Sequence, residues 1–137
     1  MKKHLLFVYG TLRRGGINEI TKSHPGAVFV GASSVRGLLR DMGGYPAIIL
    51  DDAAGRIAGE VFEVDDAALA SLDRFEAADD YHREQIDVSL NGAASRCWIY
   101  RPEPELCAGK PTVERGDWIE YSKVSDGTMT NSRKDLS

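Results

Sequence analysis

Leu5-Leu6-Phe7-Val8-Tyr9-Gly10-Thr11-Leu12-Arg13-Arg14-Gly15 is the stretch on which the fold turns. Leu5 to Val8 is a short apolar run of the kind that forms a buried strand. It stops at a glycine, which tolerates backbone conformations that other residues resist. A strand ending at Tyr9-Gly10-Thr11 turns successive backbone N–H groups outward, and such groups form a concave site for an anion. An ordinary strand-to-turn junction would use the same letters. The choice between the two rests on what surrounds the stretch.

Met1-Lys2-Lys3-His4 precedes it, with two positive charges before the apolar run. The apolar run passes straight into Tyr-Gly-Thr, without the long apolar region and small-residue cleavage site of a secretory signal. No apolar run approaches membrane-spanning length. The chain has 137 residues, 42% of them hydrophobic, 28% charged, with a net charge of -4. That suits one domain with one core. A mildly acidic chain whose Arg13-Arg14 pair is no patch is a poor nucleic-acid binder. Cys97 and Cys107 are too few for a disulfide framework and form no Cys-x-x-Cys. The expectation is a cytoplasmic protein with no membrane or nucleic-acid partner.

Downstream, Ile17 and Ile20 suggest a helical turn or two before the break at His24-Pro25-Gly26. Ala27–Val30 and Ser33–Arg40 read as two strands, the second with Gly37 marking a bulge or a close approach. Met42-Gly43-Gly44-Tyr45-Pro46-Ala47 is a loop with a fixed exit, followed by a strand at Ile48–Leu50. Ile57–Val64 is a further strand with both faces largely apolar, so periodicity leaves the direction of Glu60 open. Asp66 to Glu76 is a helix, capped by Asp65 and stapled by Val64 and Leu69. Ile86–Leu90 alternates as a half-buried strand, Asn91-Gly92 signals a hairpin, and Ser95–Tyr100 is its partner. Gly116–Ile119 is the last ordered segment; from Ser122 the chain turns polar. The reading is a single domain over residues 1–121 and a polar, flexible tail over 122–137. About six or seven strands with one clear helix predict an α+β protein, a small mixed, mostly antiparallel β-barrel with flanking helices.

One residue is out of place on the helix. Leu69 and Leu72 mark the buried stripe, and Glu76 falls between them in projection. Burial and the negative helix C-terminus both oppose its charged form, which raises the pKa toward the range of a neutral-pH acid or base. The competing reading has the helix fray before residue 76, with Glu76 solvated or paired to Arg74 or Arg83. His4, His24 and His82 have no ligand spacing, so no metal site is expected. No Gly-x-Ser-x-Gly elbow and no phosphate loop is present. Cys97 reads as core.

Tyr9-Gly10-Thr11-Leu12, Gly44-Tyr45-Pro46-Ala47, Gly59-Glu60-Val61-Phe62, Leu72-Asp73-Arg74-Phe75-Glu76, Tyr81-x-Arg83 and Gly116-Asp117-Trp118 occur in this order. Together they resemble the gamma-glutamylcyclotransferase-like family, most closely its short bacterial and gamma-glutamylamine cyclotransferase branch. The resemblance covers about residues 5 to 120 and implies a small mixed barrel with flanking helices. It implies an enzyme, of cyclotransferase (lyase or acyltransferase) type. The α-amine of a small gamma-glutamyl amine or amide attacks its own side-chain carbonyl, giving 5-oxoproline and a free amine without a cofactor. By motif the acid/base falls on Glu76 and the substrate loop on Tyr9, Gly10, Thr11 and Leu12. Tyr45 is a candidate wall of the pocket. Tyr81 is a candidate hydrogen-bond donor to substrate or base; either tyrosine could equally be packed core. The connection Ala77-Ala78-Asp79-Asp80 lines the leaving-amine side in this reading, or is a solvated turn. Two rivals stand beside the enzyme, a non-catalytic module binding a small carboxylate and a structural protein whose pocket is filled by side chains. A monomer or weak dimer is expected.

Overall fold

The Leu5–Val8 run lies inside β1 (Lys3–Val8), at the centre of the sheet. In the structure, a computed structural model that describes residues 2–128, β1 is followed by α1 (Ile20–Ser23), β2 (Val28–Asp41), β3 (Pro46–Leu50) and β4 (Arg56–Asp65). Then come α2 (Asp66–Ala77), β5 (His82–Leu90), β6 (Ala93–Arg101), a 3₁₀ turn (Pro104–Cys107) and α3 (Trp118–Thr128). The strands line up as β3-β2-β4-β1-β6-β5. Neighbours are antiparallel except β1 and β6, which meet in parallel at Leu6 and Trp98.

This mixed sheet curls into a half-barrel. β2 and β5 are far apart in sheet order, yet Ser33 Oγ donates to the carbonyl of Ser89. A Cβ on Gly31 would sit 3.0 Å from Leu90. Both faces of the central strands are covered. Leu6 and Val8 join Phe62, Val64, Leu69 and Leu72 beneath α2. Phe7 joins Val35, Ile57, Val61, Val88, Ile99 and Trp118 on the other face. Cys97 is core, and both cysteines are free and buried. Two-sided burial explains why β4 carries no clean alternation.

The helix begins as expected, with Asp65 accepting from the Ala68 N–H at 2.9 Å. Asn91 and Gly92 make the hairpin with φ of 53° and 83°, the left-handed pair that a type I′ turn requires. One expectation is corrected. Residues 28–41 form one strand rather than two, with a register irregularity between Phe29 and Gly31; such a bulge breaks the sequence pattern without ending the pairing. Gly37 is a close approach, since a Cβ there would lie 2.6 Å from the Ile49 carbonyl oxygen. The helix α3 runs to Thr128, into the stretch expected to be a tail; residues 129–137 of that expected tail lie outside the described residues. None of the helices is long and apolar enough to cross a membrane, among the described residues.

Candidate active site

Gly10 shows why the chain needs a glycine where β1 ends. A Cβ there would stand 2.4 Å from Pro46 Cγ, so the Tyr-Gly-Thr turn can press against the Tyr45-Pro46 loop only without a side chain. The loop folds back on itself: the Arg13, Asn18 and Ile20 N–H groups donate to the carbonyls of Gly10, Thr11 and Leu12 at 3.0, 2.9 and 3.0 Å. Its own N–H groups at Gly10, Thr11 and Leu12 find no acceptor among the described residues. They remain available to an anion.

The loop is anchored from below by Glu60, 4% exposed. Arg13 Nε donates to Glu60 Oε2 at 2.9 Å, and the Arg14 N–H to Oε1 at 2.9 Å. The Arg13 guanidinium also reaches Asp117 Oδ1 at 3.0 Å. The direction of Glu60, open in the sequence, is thereby decided: it points at the loop. A buried carboxylate is tolerable when its hydrogen bonds are satisfied in this way. Three of the separated motifs thus meet in one ion-pair network.

Glu76 stands across from the loop. It lines an open cleft of about 270 Å³ together with Tyr9, Gly10, Thr11, Leu12, Tyr45 and Tyr81. All seven site residues expected from the sequence therefore share one cavity. The helix continues to Ala77, so it does not fray before Glu76. Arg83 binds Asp73 instead, with Nε to Oδ1 at 3.0 Å and Nη2 to Oδ2 at 3.2 Å. Among the described residues no cation lies within ion-pair distance of the Glu76 carboxylate. Burial, and then the charge of Asp79, push its pKa up to about 7.

The tyrosines sort into different tasks. Tyr81 Oη donates to the Pro46 carbonyl at 2.7 Å, so its hydroxyl secures the loop. Tyr45 stacks obliquely on it, ring centroids 6.2 Å apart, and forms the wall. Tyr9 Oη donates to the Tyr100 carbonyl at 2.7 Å. Burial, then Tyr81 and Glu76, hold the Tyr9 phenol well above its ordinary range. Burial and then Tyr45 do the same to Tyr81. Both phenols therefore stay protonated at neutral pH.

Several lining residues escaped the sequence reading: Ile17, Asn18, Phe75 and Tyr100. Phe75 lies inside the motif that ends at Glu76, and Ile17 just after the opening loop; Tyr100, on β6, has no sequence signal of its own and is brought in by the parallel β1–β6 pairing. Asp79, in the connection after α2, lines the cleft. Since the cleft is open, the reading with a side-chain-filled pocket is set aside. No group of three His, Cys, Asp or Glu able to hold a metal occurs among the described residues.

A family model for gamma-glutamyl cyclotransferase, AIG2-like proteins matches residues 6–120. The chain is 31% identical over 121 residues to YkqA of Bacillus subtilis, a provisionally named gamma-glutamylcyclotransferase. The match covers 88% of this chain but 43% of YkqA, so the chain spans less than half of that relative. The YkqA crystal structure superposes with a TM-score of 0.74 at 27% identity, over 92% of this chain and 43% of that one. The gamma-glutamylaminecyclotransferase of Bos taurus is 33% identical over 112 residues, 69% of this chain and 63% of the bovine one. The crystal structure of a mouse AIG2-like protein superposes with a TM-score of 0.68 at 28% identity, over 83% of this chain and 88% of that one.

Proposed function

The chain belongs to the gamma-glutamyl cyclotransferase, AIG2-like family, and from that membership we propose that it converts a small gamma-glutamyl amine or amide to 5-oxoproline and the free amine. The observation that carries the reading is Glu76. It is a cleft carboxyl with a pKa near 7 and no cation partner, and it shares its cavity with the loop whose N–H groups are free. The substrate binds with its α-carboxylate on the N–H groups of Gly10 to Leu12. Its α-ammonium lies at Glu76 and Asp79. Glu76 accepts a proton from the ammonium, and the freed amine attacks the side-chain amide carbon of the same molecule. The new C–N bond closes the five-membered ring; the amide C–N bond then breaks. Glu76 gives that proton to the departing nitrogen, takes the second proton from the ring nitrogen, and passes it to the freed amine, which leaves as an ammonium. Atoms balance with no water and no redox step.

A base with pKa near the working pH suits both halves of this transfer. Holding the substrate curled supplies much of the acceleration, because intramolecular attack depends on orientation. Tyr45 and the Tyr81 ring give the cleft an apolar wall that keeps water from the reacting carbonyl. The test is 5-oxoproline release from a panel of gamma-glutamyl amines and amino acids, with wild type beside Glu76→Gln. Release by wild type and a fall of at least about 10²-fold in the variant are expected. No release by wild type across the panel, or full activity in Glu76→Gln, overturns the proposal.

A further inference from the structure

Arg83 stands one side chain away from the cleft. It lies directly opposite Tyr100 in the β5–β6 register, and Tyr100 lines the cleft. A separate hollow of about 340 Å³ is lined by Asp73, His82, Arg83 and Trp98, together with Tyr81 and Tyr100. The two tyrosines belong to both cavities and form the partition between them; Asp73 and Arg83 belong to the outer hollow alone. Asp73 precedes Glu76 by three residues on α2. Side chains at that spacing are neighbours, about 4.5 Å apart along the helix axis. Arg83 therefore has two carboxylates within one helical turn to choose between, one on each side of the partition.

Three contacts make the choice, all on the outer side. The guanidinium takes Asp73 in bidentate fashion, Nε to Oδ1 at 3.0 Å and Nη2 to Oδ2 at 3.2 Å. Tyr100 Oη donates to Asp73 Oδ1 at 2.7 Å. The Trp98 ring lies 4.0 Å from the guanidinium, a cation–π contact that favours the same placement. Asp73 is 42% exposed and Arg83 26%. An ion pair that exposed adds little stability, so its larger consequence is where it leaves the charge.

We propose that Asp73 is a positioning residue of the site: with Tyr100 and Trp98 it captures Arg83 outside the Tyr81–Tyr100 partition and so keeps the Glu76 carboxyl free of a cation. That a free carboxyl is needed rests on the cyclotransferase reading; the capture itself does not. Pairing with Arg83 would lower the basicity of Glu76 and occupy the oxygens that must take a proton from the substrate. The other groups around Glu76 bring no positive charge. Tyr9 after β1, Tyr45 before β3, Tyr81 before β5 and Tyr100 on β6 are phenols that burial pushes up. Asp79 adds a negative charge. Cys107 of the 3₁₀ turn, packed in the same core cluster as Tyr81 and Tyr100, is a thiol that burial also pushes up. Arg74 on α2 itself is exposed. Arg83 is the cation that has to be withheld.

The test reads the Glu76 carboxyl directly and needs no substrate. Its carbon-13 side-chain resonance, assigned by its absence in Glu76→Gln, is titrated in wild type, Asp73→Asn and Asp73→Asn/Arg83→Gln. In Asp73→Asn the midpoint should fall by about 1 pH unit, because Arg83 is left with Glu76 as its carboxylate. In the double variant it should return to the wild-type value, since charge and countercharge are both gone. A merely structural role for Asp73 predicts the same midpoint in the two variants. An unmoved midpoint in Asp73→Asn, or a fall that persists in the double variant, overturns the proposal. Asp73→Ser takes the place of Asp73→Asn if the asparagine variant fails to fold. Wild-type 5-oxoproline release is measured alongside. Its absence counts against the cyclotransferase reading, while the titration still decides whether Asp73 withholds Arg83.

Discussion

Glu76 combines two environments that rarely coincide on a helix surface, a place on the apolar stripe and a carboxylate neighbour. The stripe is legible from Leu69 and Leu72; the neighbour, Asp79, is three residues on, in a connection that the sequence places either on the leaving-amine side or in a solvated turn. Burial is the larger cause of the raised pKa and Asp79 the second. If Glu76 is the base, kcat/KM should rise with pH through about 7 and level off above it. Asp79→Asn removes a like charge, so the ascending limb should move to lower pH. It should stay above the ordinary glutamate value, because burial remains. A pH–rate profile of both proteins checks this, and an unmoved limb would contradict the assigned cause. The same shift has a stability sign. A carboxyl whose folded pKa exceeds its unfolded value costs stability as pH rises from about 4.5 through 7. Glu76→Gln should therefore be more stable than wild type at pH 8, by about 1–3 kcal/mol after allowing for partial solvent screening. At pH 4 the two should be equal. Urea denaturation at both pH values measures the difference, which is what a site holding its base in an unfavourable environment predicts.

At the scale of elements, the cleft is the gap between three pieces: the turn after β1, the Tyr45-Pro46 loop before β3, and the last turn of α2. Each is held by contacts that spare the reacting groups. Tyr100 Oη bonds Asp73 Oδ1 at 2.7 Å and the Leu69 carbonyl at 3.4 Å, and Arg83, its guanidinium 4.0 Å above the Trp98 ring, grips the same Asp73. The last turns of α2 are thus fastened to β5 and β6 with Glu76 turned toward the cleft. Asp73 and Arg83 belong to motifs recognised in the sequence, but their partnership was not readable there; Arg83 was as available to Glu76 as to Asp73. The turn and the proline loop are fastened by shape. In Gly10→Ala the new methyl would overlap Pro46. The two loops must then separate, at a cost of about 1–3 kcal/mol. Thermal denaturation should show the loss, and 5-oxoproline release should fall by more than the folded fraction does, because the cleft itself widens. A variant with wild-type stability and turnover would mean that the close approach has no role.

For the molecule as a whole, closure depends on residues far from the cleft. Trp118 is 4% exposed and packs on Tyr121, with ring centroids 5.3 Å apart. Tyr121 Oη donates to Asp41 Oδ2 at 2.6 Å, and Asp117 completes the Arg13–Glu60 network. A chain ending at Gly116 would lose a buried tryptophan, worth about 3–5 kcal/mol, and leave Arg13 half-paired. Against a typical domain stability of about 5–15 kcal/mol, that truncation should abolish the cooperative thermal transition seen by circular dichroism. A sharp wild-type-like melt would show that α3 is dispensable. The sequence alone determined the α+β class, most strand positions, the capped helix and the candidate base. Each of these follows from local signals: apolar period, turn residues and caps act between residues a few positions apart. Only the tertiary structure decided where Glu60 points, that Arg83 takes Asp73 and not Glu76, that Tyr100 lines the cleft, and that α3 continues past Ser122. Those outcomes depend on which strands become neighbours, above all the parallel contact of β1 with β6. A pairing between segments some ninety residues apart is settled by the packing of two whole faces, a sum over distant residues that no short window of sequence contains.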